Sequence, residues 1–397
     1  MRIAIFDNVT TANNPTGGCN RQLLAGLCRE HDFTVFSAAF ANPCPDRIQW
    51  VRIPVPMRPL VLLFVCFHIM APLCLLWHRL RGGKAFDVIQ IAESNLLLGH
   101  VSYAHFCHRA FLNDHWTTVR PGGLRGVLRW LDHWFHAVLE SWVYRRMTRV
   151  VTPSRGLADE LVRHYPELAG KIVVIANPVD LDKMCRPHDF DRRAFRASLG
   201  IQDRDIALIF CALGHFERKG LGLLLDALEN LPQFPWKLIV VGGQPDALKP
   251  YRSRGSDRVV YAGMQTEIGP FLWASEAFVL PSAYETFSLV SFEAAAAAVP
   301  LLAPRLYGVD ELLRDGENGF LLVREKSAIE IALQRLFRLS VEARLEMGMR
   351  AQRDVASYCP EAFVEGWREF YRTLEPDLCH NLTRRVSSSQ QRSAQRP

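Results

Sequence analysis

The 397-residue chain has ten cysteines but no C-x-x-C pair and no repeated cysteine spacing. Neither a disulfide framework nor a zinc knuckle is encoded, and a reducing compartment is expected. Strong charge imbalance is also missing. Net charge is +6, and Arg384, Arg385, Arg392 and Arg396 lie in a Ser/Gln-rich tail offset only by Asp377, leaving the rest near neutral. That balance argues against a nucleic-acid partner. No low-complexity or repeat pattern occurs, and 49% hydrophobic with 22% charged residues excludes a disordered or collagen-like chain. Met1 to Asp7 runs straight into an apolar strand, without the charged, apolar and cleavage regions of a signal peptide, so a cytoplasmic location is expected. Two ligand fingerprints are absent as well: the G-x-G-x-x-G dinucleotide turn and the Lys-Ser/Thr of a P-loop.

What is present is an alternation of short Val/Ile-rich runs with longer helical patterns, which predicts α/β architecture with parallel sheets. At about 100–200 residues per domain, the length favours two domains. Strands are expected at 2–6, 33–36, 88–91, 101–105, 150–153 and 172–175, then at 207–211, 238–241, 259–261, 277–280, 300–303 and 320–323. The turn-forming Asn177-Pro178-Val179-Asp180 marks a crossing between halves. This divides the chain into a first Rossmann-like domain (1–180), a second (181–358), an amphipathic helix carrying Phe363, Trp367, Phe370, Tyr371 and Leu374 (359–375), and a disordered basic tail (376–397). Two open sheets leave a cleft, and ligands of such sheets bind beyond the carboxyl ends of the strands.

Two stretches of the first half combine apolar and basic residues. Leu60 to Trp77 is interrupted only by His68 and Pro72, with Arg58 before it and Arg79, Arg81 and Lys84 after. Spanning a bilayer is the least favoured of three readings, because the runs on either side look like strands of one sheet; lying on an anionic membrane surface and packing as a core helix both remain open. Leu124 to Met147 mixes Trp130, Trp134, Phe135 and Trp142 with Arg125, Arg129, Arg145 and Arg146, and is open to the same two readings.

Chemistry-bearing residues follow the expected strands. After Leu280 comes a loop with Glu285, Thr286 and Phe287, and Ser288 to Ala298 reads as a helix capped by Thr286 or Ser288. Its free N–H groups, near Ser288 and Leu289, suit a phosphate. Glu293, a turn further on, suits a ribose diol, and Glu285 suits sugar hydroxyls. Gly214-His215-Phe216-Glu217-Arg218-Lys219-Gly220 offers two adjacent cations for a diphosphate, although such a pair taken alone is more often solvated surface. Gly17 and Gly18 sit in a turn after the first strand, permitting close backbone approach. His105 is either a core histidine or a donor at a sugar. Asp180-Leu181-Asp182 and Asp189-Phe190-Asp191 lie in Pro- and charge-rich connectors and are weak as metal motifs, so no metal is expected.

Together these residues resemble the retaining, nucleotide-sugar-dependent glycosyltransferases of family 4, over most of residues 1–375. The family's E-x7-E motif matches Glu285 and Glu293, and its R-K-G turn matches Arg218, Lys219 and Gly220. Thr152-Pro153-Ser154, Asn177 to Asp180, Asp315-Gly316-Glu317-Asn318-Gly319 and the Gly17-Gly18 pair are further matches. Ser288 and Ala298 stand where the family usually has glycine. The resemblance implies two Rossmann-like domains in the GT-B arrangement, with the terminal helix packed back on the first. It implies that Arg218 and Lys219 hold the diphosphate, Glu293 the ribose, Glu285 the donor sugar and His105 the reaction centre, with Gly17, Gly18, Gly214, Thr286, Phe287, Ser288 and Leu289 also near the donor. A nucleotide diphosphate sugar as co-substrate, no other cofactor, and a saccharide or lipid-linked acceptor in cell-surface polysaccharide or lipopolysaccharide synthesis complete the expectation. The rival readings are a nucleotide-sugar 2-epimerase of the same fold and a non-catalytic sugar-nucleotide-binding protein at a membrane surface.

Overall fold

The computed structural model describes residues 1–11, 14–58, 60–119, 122–254 and 256–374. The tail expected over 376–397 lies outside them. Seven parallel strands form the first sheet: β1 (Arg2–Phe6), β2 (Asp32–Ser37), β3 (Gln49–Arg52), β4 (Val88–Ala92), β5 (Val101–Tyr103), β6 (Arg149–Thr152) and β7 (Ile172–Val174), in spatial order β3-β2-β1-β4-β5-β6-β7. The second has six, β8 (Ile206–Cys211), β9 (Trp236–Val241), β10 (Val259–Gly263), β11 (Ala277–Val279), β12 (Leu301–Ala303) and β13 (Gly319–Leu321), ordered β10-β9-β8-β11-β12-β13. In each sheet the winding reverses beside the first strand, and a crevice opens at the carboxyl ends there.

The alternation of strand side chains sorts the first core into two layers. Ile3 and Ile5 of β1 pack with Leu23, Leu24 and Leu27 of α1 (Pro15–Leu27), while Ala4 and Phe6 face Phe67, Ala71 and Leu75 of α2 (Leu60–Leu80). A final helix over 360–374 closes the α1 side. Its Phe363, Trp367, Phe370, Tyr371 and Leu374 join Ile3 and Ile5, and Tyr371 donates a 2.7 Å hydrogen bond to Gln90. The chain therefore returns from the second sheet to the first.

Several expectations change. β3 has no apolar run, since Gln49, Trp50 and Arg52 are exposed at the sheet edge, and period-based reading passes over it. β5 ends at Tyr103, so His105 is on a loop rather than in a strand. Gly17 and Gly18 are not a loop before a helix but lie in the first turn of α1. A Cβ on Gly17 would stand 2.7 Å from the Val9 carbonyl, so the close approach is to the chain's own backbone. α2 is long and apolar enough to cross a membrane. It nevertheless joins β3 to β4 within one continuous sheet, with Phe67, Ala71 and Leu75 buried beneath it, which is incompatible with spanning. One face packs as a core helix, through Phe67, Ala71 and Leu75, whereas Ile69, Leu73, Leu76 and Trp77 point outward.

Candidate active site

β8 ends at Cys211, and the turn beyond it is held by two left-handed residues, His215 (φ 59) and Gly220 (φ 82), on either side of the single-turn helix α3 (Phe216–Lys219). Only glycine fits at 220, because a Cβ there would lie 2.3 Å from the Pro281 carbonyl. That approach presses the turn onto the loop following β11. Ala283 donates its N–H to the Arg218 carbonyl at 2.9 Å, and Lys219 Nζ comes within 2.7 Å of Glu285 Oε1. Ser282 Oγ donates a further bond to Glu285 at 2.8 Å. Burial pushes the Glu285 carboxyl up, but Lys219 and Arg218 outweigh it and hold the group below its ordinary range. Lys219 is thus paired with a carboxylate, while Arg218 Nε is buried and, among the described residues, has no hydrogen-bond partner.

The loop leads into α4 (Leu289–Ala296). Ser288 occupies the N-cap position, as expected, but its hydroxyl accepts from Ser291 Oγ rather than from a backbone N–H, and Thr286 is not the cap. No side chain caps α4; the Leu289 and Ser291 N–H groups donate instead to the Phe287 and Ser288 carbonyls at 3.1 and 2.8 Å. Glu293 is largely buried, its carboxyl is raised by that burial and lowered by Lys183, and among the described residues it has no hydrogen-bond or ion-pair partner. The thiol of Cys211, the last residue of β8, is pushed up by burial, with a smaller push from Glu293 and an opposing one from Lys219.

Residues of the first sheet face this cluster. The long helix α5 (Gly123–Arg146) presents Arg129, which donates to His215 Nδ1 at 2.6 Å. Burial, then Arg129, Arg218 and Lys219, push the His215 imidazole down to about 4. Tyr284, beside Glu285, is 2% exposed. Its ring meets Phe106 at 5.3 Å and His115 at 4.3 Å, and its hydroxyl donates to the fully buried Glu160 at 2.7 Å. Ser154 Oγ, in the Thr-Pro-Ser match, donates to the Thr286 carbonyl at 2.7 Å while also accepting from Leu157 N–H. Sequence reasoning gave no role to Tyr284 or Arg129. Their only signals were a tyrosine next to Glu285 and a cation on an amphipathic helix.

His105 lies on the loop whose next residue, Phe106, touches Tyr284. Its Nε2 is 3.3 Å from Asn177 Oδ1, Tyr103 donates to the same oxygen at 2.6 Å, and burial lowers the imidazole to about 4. Glu93, also missed, has a strained φ of 54, and its carboxylate accepts the His105 N–H at 3.0 and 3.1 Å. Burial pushes it up to about 8. Gly214 is open, with nothing near a Cβ built on it, and Phe287 stacks on Phe292 inside the second lobe. Asp180 and Asp191 cap short helices by accepting the N–H groups of Lys183 and Ala194, which accounts for both D-x-D sequences. Asn318 is a buried brace for its turn, bonded to Arg314, Leu312 and Asp354.

Two Rossmann-like lobes facing across a groove lined by an Arg-Lys turn and an acidic loop define the GT-B class of glycosyltransferases. Residues 19–183 match the family described as Glycosyltransferase Family 4, and residues 205–338 match Glycosyl transferases group 1. The D-inositol 3-phosphate glycosyltransferase of Rhodococcus opacus is 32% identical over 251 residues, 59% of this chain and 55% of that protein. Among solved structures, sucrose-phosphate synthase from Thermosynechococcus elongatus superposes with a TM-score of 0.72 at 18% identity, covering 94% of this chain and 98% of that one. HepE of Anabaena, solved in complex with UDP-glucose, does so with a TM-score of 0.70 at 18% identity, covering 94% and 100%. The chain belongs to the family 4 glycosyltransferases with GT-B fold. It spans about half the length of the curated relatives it matches.

Proposed function

We propose that the protein transfers a glycosyl group, with retention, from a nucleotide diphosphate sugar to a saccharide or lipid-linked acceptor in polysaccharide or lipopolysaccharide synthesis on the cytoplasmic side of the membrane. The observation that carries this reading is the lacing of the Arg218-Lys219-Gly220 turn to the Glu285 loop, which gathers two cations and a carboxylate beside the N-terminal end of α4.

In the reaction the bond from the sugar C1 to the phosphate oxygen breaks and a bond from C1 to the acceptor oxygen forms on the same face. The acceptor proton passes to the departing phosphate. Negative charge grows on that phosphate, and Arg218, Lys219 and the positive end of the α4 dipole meet it as fixed charges already oriented before the reaction. No carboxylate pair is assigned to a double displacement, which in retaining glycosidases takes two closely placed groups. Glu293 holds the ribose diol, Glu285 the donor sugar, and His105 stands at the reaction centre. No metal ion is required in this scheme, so turnover in the presence of a chelator is expected to equal that without it.

Incubation of the protein with nucleotide sugars, followed by thermal shift, identifies the donor, since a ligand of the native state raises its melting temperature. Lys219→Ala is expected to lower donor affinity and turnover together, and Glu293→Ala to raise mainly the donor KM. Unchanged kinetics in both variants would refute the site. Release of a free epimer without acceptor would replace transfer by epimerisation, and a glycosylated protein accumulating without acceptor would replace the same-face route.

A further inference from the structure

We infer that the outer faces of α2 and α5, together with a cationic cavity at the C-terminal end of α2, form a docking surface for an anionic lipid bilayer. α2 exposes Val61, Ile69, Leu73, Leu76, Trp77 and Leu80, and α5 exposes Val127, Leu128, Leu131, Trp134 and Trp142. Phe64 of α2 meets Phe135 and His136 of α5 at ring distances of 5.9 and 3.7 Å, so the two helices abut and their apolar faces adjoin. A contiguous patch of this kind on a folded protein marks an interaction surface rather than incidental exposure.

The charge beside the patch selects the occupant. Residues 47–86 contain six Lys or Arg and no Asp or Glu. Where α2 ends, a cavity of about 740 Å³ is lined by Arg52, Trp77, His78, Arg81 and Lys84, with Asp32 as an acidic member. Arg52, Arg81 and Lys84 are exposed and, among the described residues, lie within ion-pair distance of no carboxylate. Arg81 stacks on Trp77 at 4.4 Å and Arg146 on Trp142 at 5.5 Å, so each helix carries an aromatic-cation pair near its C-terminal end. Aromatic rings beside basic side chains suit the level of lipid headgroups, the apolar stems entering the acyl boundary and the cations meeting phosphate. A second copy docked face to face would oppose Arg52, Arg81 and Lys84 to a surface on which cations outnumber the acids Asp32 and Asp132.

The surface also bears on the site. α5 carries both the exposed apolar residues and Arg129, the partner of His215, so the docked protein would hold its groove alongside headgroups. The inference rests on surface chemistry and not on the donor-site reading; vesicle binding and sugar transfer are separate readouts, and either can fail alone.

Flotation of the full chain with phosphatidylcholine vesicles, with and without phosphatidylglycerol, tests it. Recovery with the anionic vesicles, reduced by high salt, is expected. Arg52→Ser, Arg81→Ser and Lys84→Ser combined are expected to weaken partition onto anionic vesicles roughly a hundredfold, with melting temperature and donor-induced thermal shift unchanged. Trp77→Ser with Trp142→Ser is expected to reduce binding at every salt concentration. The inference is overturned if the protein stays at the bottom of the gradient, if neutral vesicles bind it equally, or if it elutes as a dimer that does not float.

Discussion

At the scale of single residues, the second-lobe cluster is an anion site held ready by its own chain. His215 titrates near 4 because burial and three neighbouring cations oppose its protonation. A diphosphate arriving between Arg218 and Lys219 reverses that field and stabilises the imidazolium, so the bound state takes up a proton that the free state lacks. Donor affinity is therefore expected to rise as pH falls toward 5. Titration calorimetry at that pH should give different heats in two buffers of unlike ionisation enthalpy, and His215→Asn should abolish the difference. Gly220→Ala combines a left-handed φ with a clash on Pro281, and is expected to cost about 2–4 kcal/mol, seen as a lower urea midpoint. The residue types of this cluster were legible from Arg218, Lys219, Glu285 and Glu293 because they sit on short local motifs. The pairing of Lys219 with Glu285 was not, since it depends on two loops about 65 residues apart being pressed together at Gly220 and Pro281.

At the scale of elements, the loop after β11 belongs to both lobes. Tyr284 reaches Glu160 and Thr286 accepts from Ser154, so the segment Tyr284-Glu285-Thr286 carries the acidic site residue and the contacts that fix it across the groove. Tyr284→Phe removes the 2.7 Å donor of a fully buried carboxylate, leaving it His115 at 3.5 Å and the neighbouring Tyr307 hydroxyl, and is expected to cost about 1–3 kcal/mol by denaturant unfolding. Glu160→Gln, which keeps a hydrogen-bonding group there, should be milder. Amphipathic helices were readable from their period, and α5 and the 360–374 helix fall where the pattern put them. β3 was not, because an exposed edge strand lacks apolar alternation. The early start of α1 was missed because Gly17 and Gly18 read as a turn, whereas Pro15 suits the first helical position.

At the scale of the whole molecule, buried titratable groups set opposing pH windows. His105, His133, His136 and His215 titrate at about 3 to 4 because burial disfavours their charged forms, so their contribution is present above 6.5 and is lost as pH falls. Asp7, Glu140 and Glu93 are pushed up by burial to about 6, 7 and 8; the fold holds their protons where the unfolded chain does not, and stability falls as pH rises through those values. Melting temperature is thus expected to peak near pH 6.5 and to decline both toward 4 and toward 8. A flat profile from 6.5 to 8 would show that Glu93 and Glu140 are ionised in the fold. The sequence by itself determined the alternating strands, the apolar-basic helices and the motifs at strand ends, because these follow from local periodicity and from spacing within a few residues. Only the tertiary structure decided that Tyr284 crosses the groove, that Glu93 braces the His105 loop, and which face of α2 remains uncovered, because each is a contact or an exposure set by packing between segments that no short-range pattern relates.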